Sequence, residues 1–507
     1  MKLYFQEHNF PWQPERYRYA AEQMMLTLFP GERPEYPREE VPRDMSGEDS
    51  AAVFVLHRGK KLTNVSALVF RPQGHFNAVA RFPSEKLDRP PEEVYHTVQH
   101  ALKLAFYRAG TALLGYEPPW GALTGVRPVK LPTRALLAGA SPRQAQAGLE
   151  REYHVSPPRA RLAVDCAQAS VAVRRSLGPN QVSLYIGIPF CPTRCAYCSF
   201  VCADVGRTLK LVEPYLEGLL REIEQTGRVL GEAGLSVRSF YMGGGTPTVL
   251  TARQLDRLLA KCAACLPLEA CTEYTVEAGR PDTITREKLE VLRARRIGRI
   301  SINPQSLEPH VLQAIGRRHT PGDIRAAYSL ARSAGFDCIN MDLIAGLPRD
   351  SLAGFQRSLE EVLSMGPENI TVHTLALKKG SALMEHAGTL PGGDEVAQML
   401  DCSRERLSAQ NYIPYYLYRQ KYMSGSLENV GWTQPGLAGL YNIIMMEELH
   451  TVVSLGAGGV TKLVGSQKIL RLTNPKYPQD YLANLDKVLD QKEDIKAFFT
   501  APSALPS

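Results

Sequence analysis

At 507 residues the chain is too long for one ordinary core, so two or three domains are expected. A hydrophobic share of 44% with 22% charged residues describes an ordinary globular protein. The net charge of +7 is mild over this length; it suits an anionic substrate, while the lack of any Lys/Arg block or interleaved aromatic stripe argues against nucleic acid. No apolar run approaches the roughly eighteen residues of a membrane span, and the opening Met1-Lys2-Leu3-Tyr4-Phe5-Gln6-Glu7 turns polar too soon for a signal peptide. Ten cysteines without an obvious disulfide framework point to a reducing cytoplasm, and a monomer is expected.

Residues 1–130 read as an N-terminal α+β domain. Strands are expected at 52–57 and 65–70, and a helix at 91–114, where Val94, Val98, Leu102, Leu104 and Ala105 recur at helical spacing. The stretch 118–128, rich in Pro and Gly around Trp120, reads as an ordered loop, either a connector or a substrate contact. Residues 131–180 form a helical connector, with Ala-, Arg- and Gln-rich helices over 141–177.

From 181 to 385 strand and helix alternate. Strands are expected at 182–188, 239–242, 273–276, 299–302, 338–344 and 369–375, with helices at 211–230, 251–265, 285–296, 308–334 and 351–365. Six such repeats, with strands rich in Val and Ile, predict a parallel sheet with helices outside, a partial (β/α)6 barrel rather than a closed eight-stranded one. Ligands of such sheets sit at the carboxyl ends of the strands, and the candidate residues fall there.

Cys191, Cys195 and Cys198 follow the first strand in C-x3-C-x2-C spacing. Three thiolates on so short a loop suit an iron–sulfur cluster with one iron left open. A closed zinc site wants four ligands, and no Cys or His pair follows at zinc-ribbon distance; a redox C-x-x-C or plain buried thiols are the alternatives. Gly243-Gly244-Gly245-Thr246-Pro247 ends the second strand and opens the backbone to a ligand's ammonium or carboxylate, or makes a plain turn. Glu277 ends the third strand, where it can accept hydrogen bonds from ribose hydroxyls or an amine, or cap a surface turn. Gln305 and Asp342 occupy similar places; Asp342 stands amid apolar neighbours and needs a partner, for which Arg317 is a candidate. His319 and His373 read as ordinary imidazoles. Cys262, Cys265 and Cys271 can be read as an auxiliary cluster, although the first two fall on a helix where cysteine packs as a small hydrophobe. Cys202 lies just past the loop, near the cluster without ligating it.

Residues 386–507 lose the alternation and form a small C-terminal α+β domain. A helix is expected at 398–408 and a tyrosine-rich strand from Tyr412, followed by Arg419 and Lys421; glycine turns are expected at 429–432 and 455–459. Exposed tyrosines and basic residues can cradle a flat, multiply anionic molecule, or form an ordinary sheet on the barrel rim.

The cysteine loop resembles that of radical S-adenosylmethionine (SAM) enzymes. Joined with Tyr185-Ile186-Gly187-Ile188-Pro189-Phe190, Gly243 to Thr248, Arg299-Ile300-Ser301-Ile302, Gln305-Ser306 and Ile339 to Pro348, it resembles the oxygen-independent coproporphyrinogen III oxidase (dehydrogenase) family over residues 180–465. The leading 180 residues and Tyr415 to Lys421 resemble a long-chain branch of that family in Gram-positive bacteria. The resemblance implies a [4Fe–4S] cluster on Cys191, Cys195 and Cys198, and SAM on the free iron. It implies contacts to this SAM from Tyr185, Gly244 and Glu277, and to a second SAM from Tyr197, Gly245, Thr246, Gln305, Arg317, Asp342 and Ala376. It further implies a reduced flavodoxin- or ferredoxin-type donor and coproporphyrinogen III as substrate. Two propionates lose hydrogen and carbon dioxide to become vinyls, giving protoporphyrinogen IX, with no catalytic side chain beyond the cluster and SAM. Gly187 departs from the usual histidine, Ser199-Phe200 from Gly-Cys and Asn303-Pro304 from Gly-Val. The Cys-x-Tyr-Cys-x-Phe form is shared with a haem-chaperone relative, so haem binding without turnover is the alternative, as is another substrate for the same chemistry.

Overall fold

The computed structural model describes residues 1–9, 13–37, 41, 50–198, 203–377, 383, 390–420, 424–465 and 468–500. Ser199, Phe200, Cys202 and Lys421 lie outside the described residues. Two compact units divide the chain, Met1–Val164 with Gly425–Leu427, and Asp165–Ser424 with Glu428–Ser507.

In the first unit, β1 (Lys2–Glu7) runs parallel to β2 (Ala51–Arg58), which continues antiparallel into β3 (Leu62–Arg71) and β4 (Gly74–Pro83). Thr63, Val65, Ala67 and Val69 alternate inward along β3, the period of a sheet with one covered face. Helices α1 (Glu15–Leu28) and α2 (Pro91–Leu114) supply that cover, with Met24, Met25, Phe54 and Phe106 at the centre. In the loop around Trp120 that side chain is buried, Gly121 is left-handed, and the Ala122 and Ser156 amides donate to the Tyr153 and Pro119 carbonyls. Helices α3 (Lys130–Leu137), α4 (Pro142–Tyr153) and α5 (Pro157–Ser176) follow.

The second unit opens with β5 (Gln181–Ile188), the short pair β6 (Phe190–Cys191) and β7 (Ala203–Asp204), and α6 (Val205–Glu232). Then come β8 (Ser236–Gly244), α7 (Ala252–Cys265), β9 (Glu273–Gly279), α8 (Arg286–Ala294) and β10 (Arg299–Ile302). Next are α9 (Pro309–Ala314), α10 (Pro321–Ser333), β11 (Cys338–Ala345), α11 (Leu352–Met365) and β12 (Asn369–Thr374). Strands β5, β8, β9, β10, β11 and β12 lie side by side in that order, all parallel, which is the partial six-unit barrel expected from the alternation. The helix expected over 308–334 is two helices. Gly316 takes a left-handed φ of 74°, and Thr320 and Asp323 form a capping box behind Pro321, so the chain stops and restarts.

After α12 (Gly393–Ala409) the chain adds β13 (Ile413–Tyr418), β14 (Asn429–Thr433), α13 (Leu440–Glu447), β15 (Val452–Leu455), β16 (Val460–Val464) and β17 (Ile469–Thr473). These strands lengthen the barrel's own sheet at both edges, in the order β13-β14-β12 and β5-β15-β16-β17. Helices α14 (Pro478–Ala483), α15 (Leu485–Asp490) and α16 (Glu493–Thr500) close the described chain. Two expectations are corrected here. Residues 429–432 are a strand rather than a glycine turn: a Cβ on Gly431 would lie 1.9 Å from the Tyr416 ring, so the glycine is the slot that ring fills. The tyrosine-rich strand is interior rather than a cradle on the surface, with Tyr415, Tyr416 and Arg419 all buried.

Candidate functional site

The carboxyl ends of four of the barrel strands carry polar residues at every second position, a pattern that period-two geometry turns to one face. On β9 these are Thr275 and Glu277, on β10 and its extension Ser301 and Asn303, on β11 Asn340 and Asp342, and on β12 Thr371 and His373. Register places Glu277 beside Ser301, and Asp342 beside Thr371. Glu277 accepts a 2.6 Å hydrogen bond from the Tyr241 hydroxyl and a 3.3 Å one from the Gly244 amide. Burial, reinforced by Asp342, outweighs those bonds and pushes its carboxyl up to about 7. Asp342 accepts from Asn340 Nδ2 at 2.7 Å, and His373 Nε2 lies 3.7 Å from its other oxygen. Gln305 stands beside this pair in a left-handed conformation, φ 68°, exchanging backbone hydrogen bonds with Asp342 and Ile344; a non-glycine residue held so is strained, as functional positions often are. Tyr185, Tyr241 and Tyr441 stack across the lumen, the last two with centroids 4.4 Å apart.

The three-cysteine loop is pinned at several points above these ends. Gly245 and Thr246 donate backbone hydrogen bonds to the carbonyls of Ile188 and Phe190, and Ala196 donates to Ile315. Arg280, buried and paired with Asp282 at 2.8 Å, donates to Thr193 Oγ1 at 2.8 Å. Arg317, also buried, donates to the Asn303 carbonyl at 2.7 Å and to the Tyr197 hydroxyl at 3.1 Å, stitching the loop to β10. The Thr246 hydroxyl lies 3.6 Å from Cys191 Sγ. The glycines ahead of it serve close packing. A Cβ on Gly243 would come within 2.7 Å of the Glu277 carboxyl, and one on Gly245 within 2.4 Å of the Phe190 carbonyl. Gly244, at φ 107°, makes the turn between them.

The structure thus brings Tyr185, Gly244 and Glu277 into one group, Cys191, Gly245 and Thr246 into a second, Cys195, Tyr197 and Arg317 into a third, and Gln305 with Asp342 into a fourth. Ala376 is half-buried just past β12. Tyr241, Tyr441, Thr275, Ser301, Asn303 and His373 share the lumen without having been among the expected contacts. Thr275 Oγ1, Ser301 Oγ and Asn303 Oδ1 are buried with no hydrogen-bond partner, so the lumen is lined for a polar ligand bearing amine, carboxylate or hydroxyl groups. Cys191, Cys195 and Cys198 are each half-exposed on one loop, a donor set of sulfurs suited to iron. Among the described residues no three Cys, His, Asp or Glu side chains converge on one point. Cys195 engages Tyr197 and Arg317. Cys262 is packed in the core of α7 and its thiol is raised well above the usual range by burial; Cys271 donates to the Glu273 carbonyl at 3.3 Å and is pushed up to about 11.

Residues 185–362 match the Radical SAM superfamily. The chain is 40% identical over 412 residues, 80% of its own length and 82% of the relative's, to the oxygen-independent coproporphyrinogen-III oxidase-like protein HemZ of Bacillus subtilis (strain 168). The chain belongs to the oxygen-independent coproporphyrinogen-III oxidase-like radical SAM family. A [4Fe–4S] cluster and S-adenosyl-L-methionine are the cofactors of radical SAM proteins, and the sulfur loop and polar lumen fit them. The chain is also similar to the haem chaperone HemW of Lactococcus lactis subsp. lactis (strain IL1403), 31% identical over 57% of this chain and 70% of that one. The fold matches the radical SAM enzyme coproporphyrinogen III oxidase (HemN) from Escherichia coli, TM-score 0.51 at 22% identity, over 66% of this chain and 78% of that one. Among the described residues no helix is long and apolar enough to cross a membrane.

Proposed function

We propose that this chain converts propionate side chains of coproporphyrinogen III to vinyls without oxygen, giving protoporphyrinogen IX. The observation that carries the reading is the polar lumen around Glu277 lying beside the three-sulfur loop, in a chain 40% identical to a protein named as oxygen-independent coproporphyrinogen-III oxidase-like. In this reading Cys191, Cys195 and Cys198 hold the cluster, Tyr185, Gly244 and Glu277 hold one SAM, and Tyr197, Gly245, Thr246, Gln305, Arg317, Asp342 and Ala376 hold a second. When bound, the cluster and SAM supply a 5′-deoxyadenosyl radical that takes a hydrogen atom from the substrate. The residues of the chain bind, orient and shelter. The Glu277 carboxylate pairs with an amine or ribose hydroxyls, the Tyr185–Tyr241–Tyr441 stack walls off water, and Arg317 fixes the loop against β10. Residues 386–507, which bring Tyr441 into that stack, cover the substrate; 1–130 and 131–180 stand as a leading domain and connector to the barrel of 181–385. We place the protein in the reducing cytoplasm as a monomer, served by a flavodoxin- or ferredoxin-type donor.

Anaerobic reconstitution followed by joint assay of protoporphyrinogen IX and 5′-deoxyadenosine tests the proposal. Both products are expected, and Cys195→Ala should abolish both with loss of cluster absorbance. A second reading, a haem chaperone, is favoured by the relatives of that name. Stoichiometric haem binding with no coproporphyrinogen consumed would select it.

A further inference from the structure

Arg280 stands just past the end of β9, on the strand that carries Glu277. Its side chain is 3% exposed, a costly place for a cation unless its donors are met. Nε and Nη2 grip the two oxygens of Asp282, at 3.0 and 2.8 Å. Nη1 reaches the other way to Thr193, donating to its hydroxyl at 2.8 Å and its carbonyl at 3.3 Å. One planar fork thus holds a carboxylate on one edge and a loop on the other, which a lysine ammonium in its place cannot do. The backbone behind the fork is fixed as well. Gly279 turns left-handed at φ 41°, Pro281 keeps Arg280 extended at φ -132°, and the Arg280 carbonyl accepts the Thr283 hydroxyl at 2.8 Å. The guanidinium is anchored to the barrel before it meets the loop.

Thr193 is the middle residue of the arc between Cys191 and Cys195. Groups that orient metal ligands from behind weigh nearly as much in metal affinity as the ligands themselves. We propose that Arg280 is the positioning residue of the sulfur loop, fixing the arc between Cys191 and Cys195 in place relative to Glu277. The inference rests on the reading that Cys191, Cys195 and Cys198 hold the cluster, and adds the residue that ties their loop to the strand bearing the lumen carboxylate. The charge of Arg280 is met by Asp282, so the tie acts through geometry and not through a free cation beside the sulfurs. Loop and lumen then share one point of reference, the end of β9.

The test is a double-mutant cycle in the full chain, with Arg280→Met, Thr193→Val and the pair. Hydrogen exchange over residues 190–198 is followed in the cluster-free protein, and iron loss to a chelator in the anaerobically reconstituted one. The paramagnetic resonance spectrum of the reduced cluster is titrated with SAM, and the concentration giving half the spectral change is read. Arg280→Met should speed loop exchange and iron loss by about tenfold and raise the half-effect SAM concentration. Thr193→Val keeps the carbonyl contact and should shift the same readings by about threefold. The pair should lose no more than Arg280→Met alone, because both changes remove one contact. Fully additive losses, or loop exchange and iron loss unchanged in Arg280→Met, overturn the proposal. So does a lower thermal midpoint with those readings unmoved, which would leave Arg280 and Asp282 a plain structural ion pair. Should Arg280→Met fail to fold, Thr193→Val decides by itself, and unchanged loop exchange and iron loss in it count against the tie. An unmutated protein that takes up no iron would sink the cluster reading instead, and hydrogen exchange in the cluster-free chain still decides whether Arg280 positions the loop.

Discussion

Glu277 shows how much one buried carboxyl can say. Its value of about 7 in the fold stands above the ordinary 4.5, so folding favours the protonated form. The stability this gives is whole below about pH 4.5 and is lost as pH rises through about 7, a swing of about 3 kcal/mol. Glu277→Gln should therefore flatten the fall in stability between pH 5 and pH 8, read by chemical denaturation of the cluster-free protein; an unchanged slope would mean another group titrates. SAM binding through this carboxylate should strengthen over the same interval, because the ionised form is the one that pairs with an amine. The glycines give a second contrast. Gly245→Ala pushes a methyl into the backbone carbonyls of Phe190 and Ile188, which have little room to yield, and should cost about 1–3 kcal/mol with poorer iron retention. Gly231→Ala, in α6 with nothing within 4 Å of the new Cβ, should stabilise by up to about 1 kcal/mol. Cys265→Ala should leave the iron content untouched; a drop of about four irons per chain would revive the auxiliary site.

At the scale of elements, the tie between α6 and the last helices stands out. Glu222 is fully buried and accepts from Lys492 Nζ at 2.7 Å, Asn474 Nδ2 at 2.8 Å, the Tyr481 hydroxyl at 2.6 Å and the Gly456 amide at 2.7 Å. Beside it the Tyr215 hydroxyl donates to the Gly187 carbonyl at 2.7 Å and accepts from the Ala457 amide at 2.9 Å, so the network reaches the strand that carries the cysteine loop. The glycine that replaces histidine at 187 also fits here: a Cβ would lie 3.2 Å from the Ala457 carbonyl. Lys492→Met leaves a buried carboxylate short of its cation and should cost about 3–5 kcal/mol; adding Glu222→Gln should restore part of it, a coupling that a double-mutant cycle in urea would measure. None of this was legible in the sequence, because the partners stand some 250 residues apart and each alone looks like an ordinary surface residue. The six barrel strands were legible, since each is a short run of β-branched residues closed by a motif. Their inner face was not. Thr275, Ser301, Asn340 and Thr371 hide between apolar neighbours, and reading the strands as buried on both sides overlooked a polar lining. Two added strands escaped for a different reason: β14 and β15 are only five and four residues long, and Gly431 makes the first look like a turn.

Across the whole molecule the sheet is assembled out of chain order. Strand β5 has β8 on one side, reached within about fifty residues, and β15 on the other, which runs parallel to it and pairs Val452 with Ser183 and Leu455 with Ile186. A deletion of residues 474–500 should therefore do more than trim an end: Glu222 loses three of its four donors, and the expected result is insoluble protein, scored against the full chain by soluble yield and circular dichroism. The same arrangement sets the order of maturation. While the polypeptide is still emerging from the ribosome, the strand leading into Cys191 is a bare edge with half its backbone unsatisfied, and it gains its second neighbour only when nearly nine-tenths of the chain has been made. Iron is accordingly expected to be held firmly only once β15 is in place beside β5, which iron retention by a chain cut before Val452 would check.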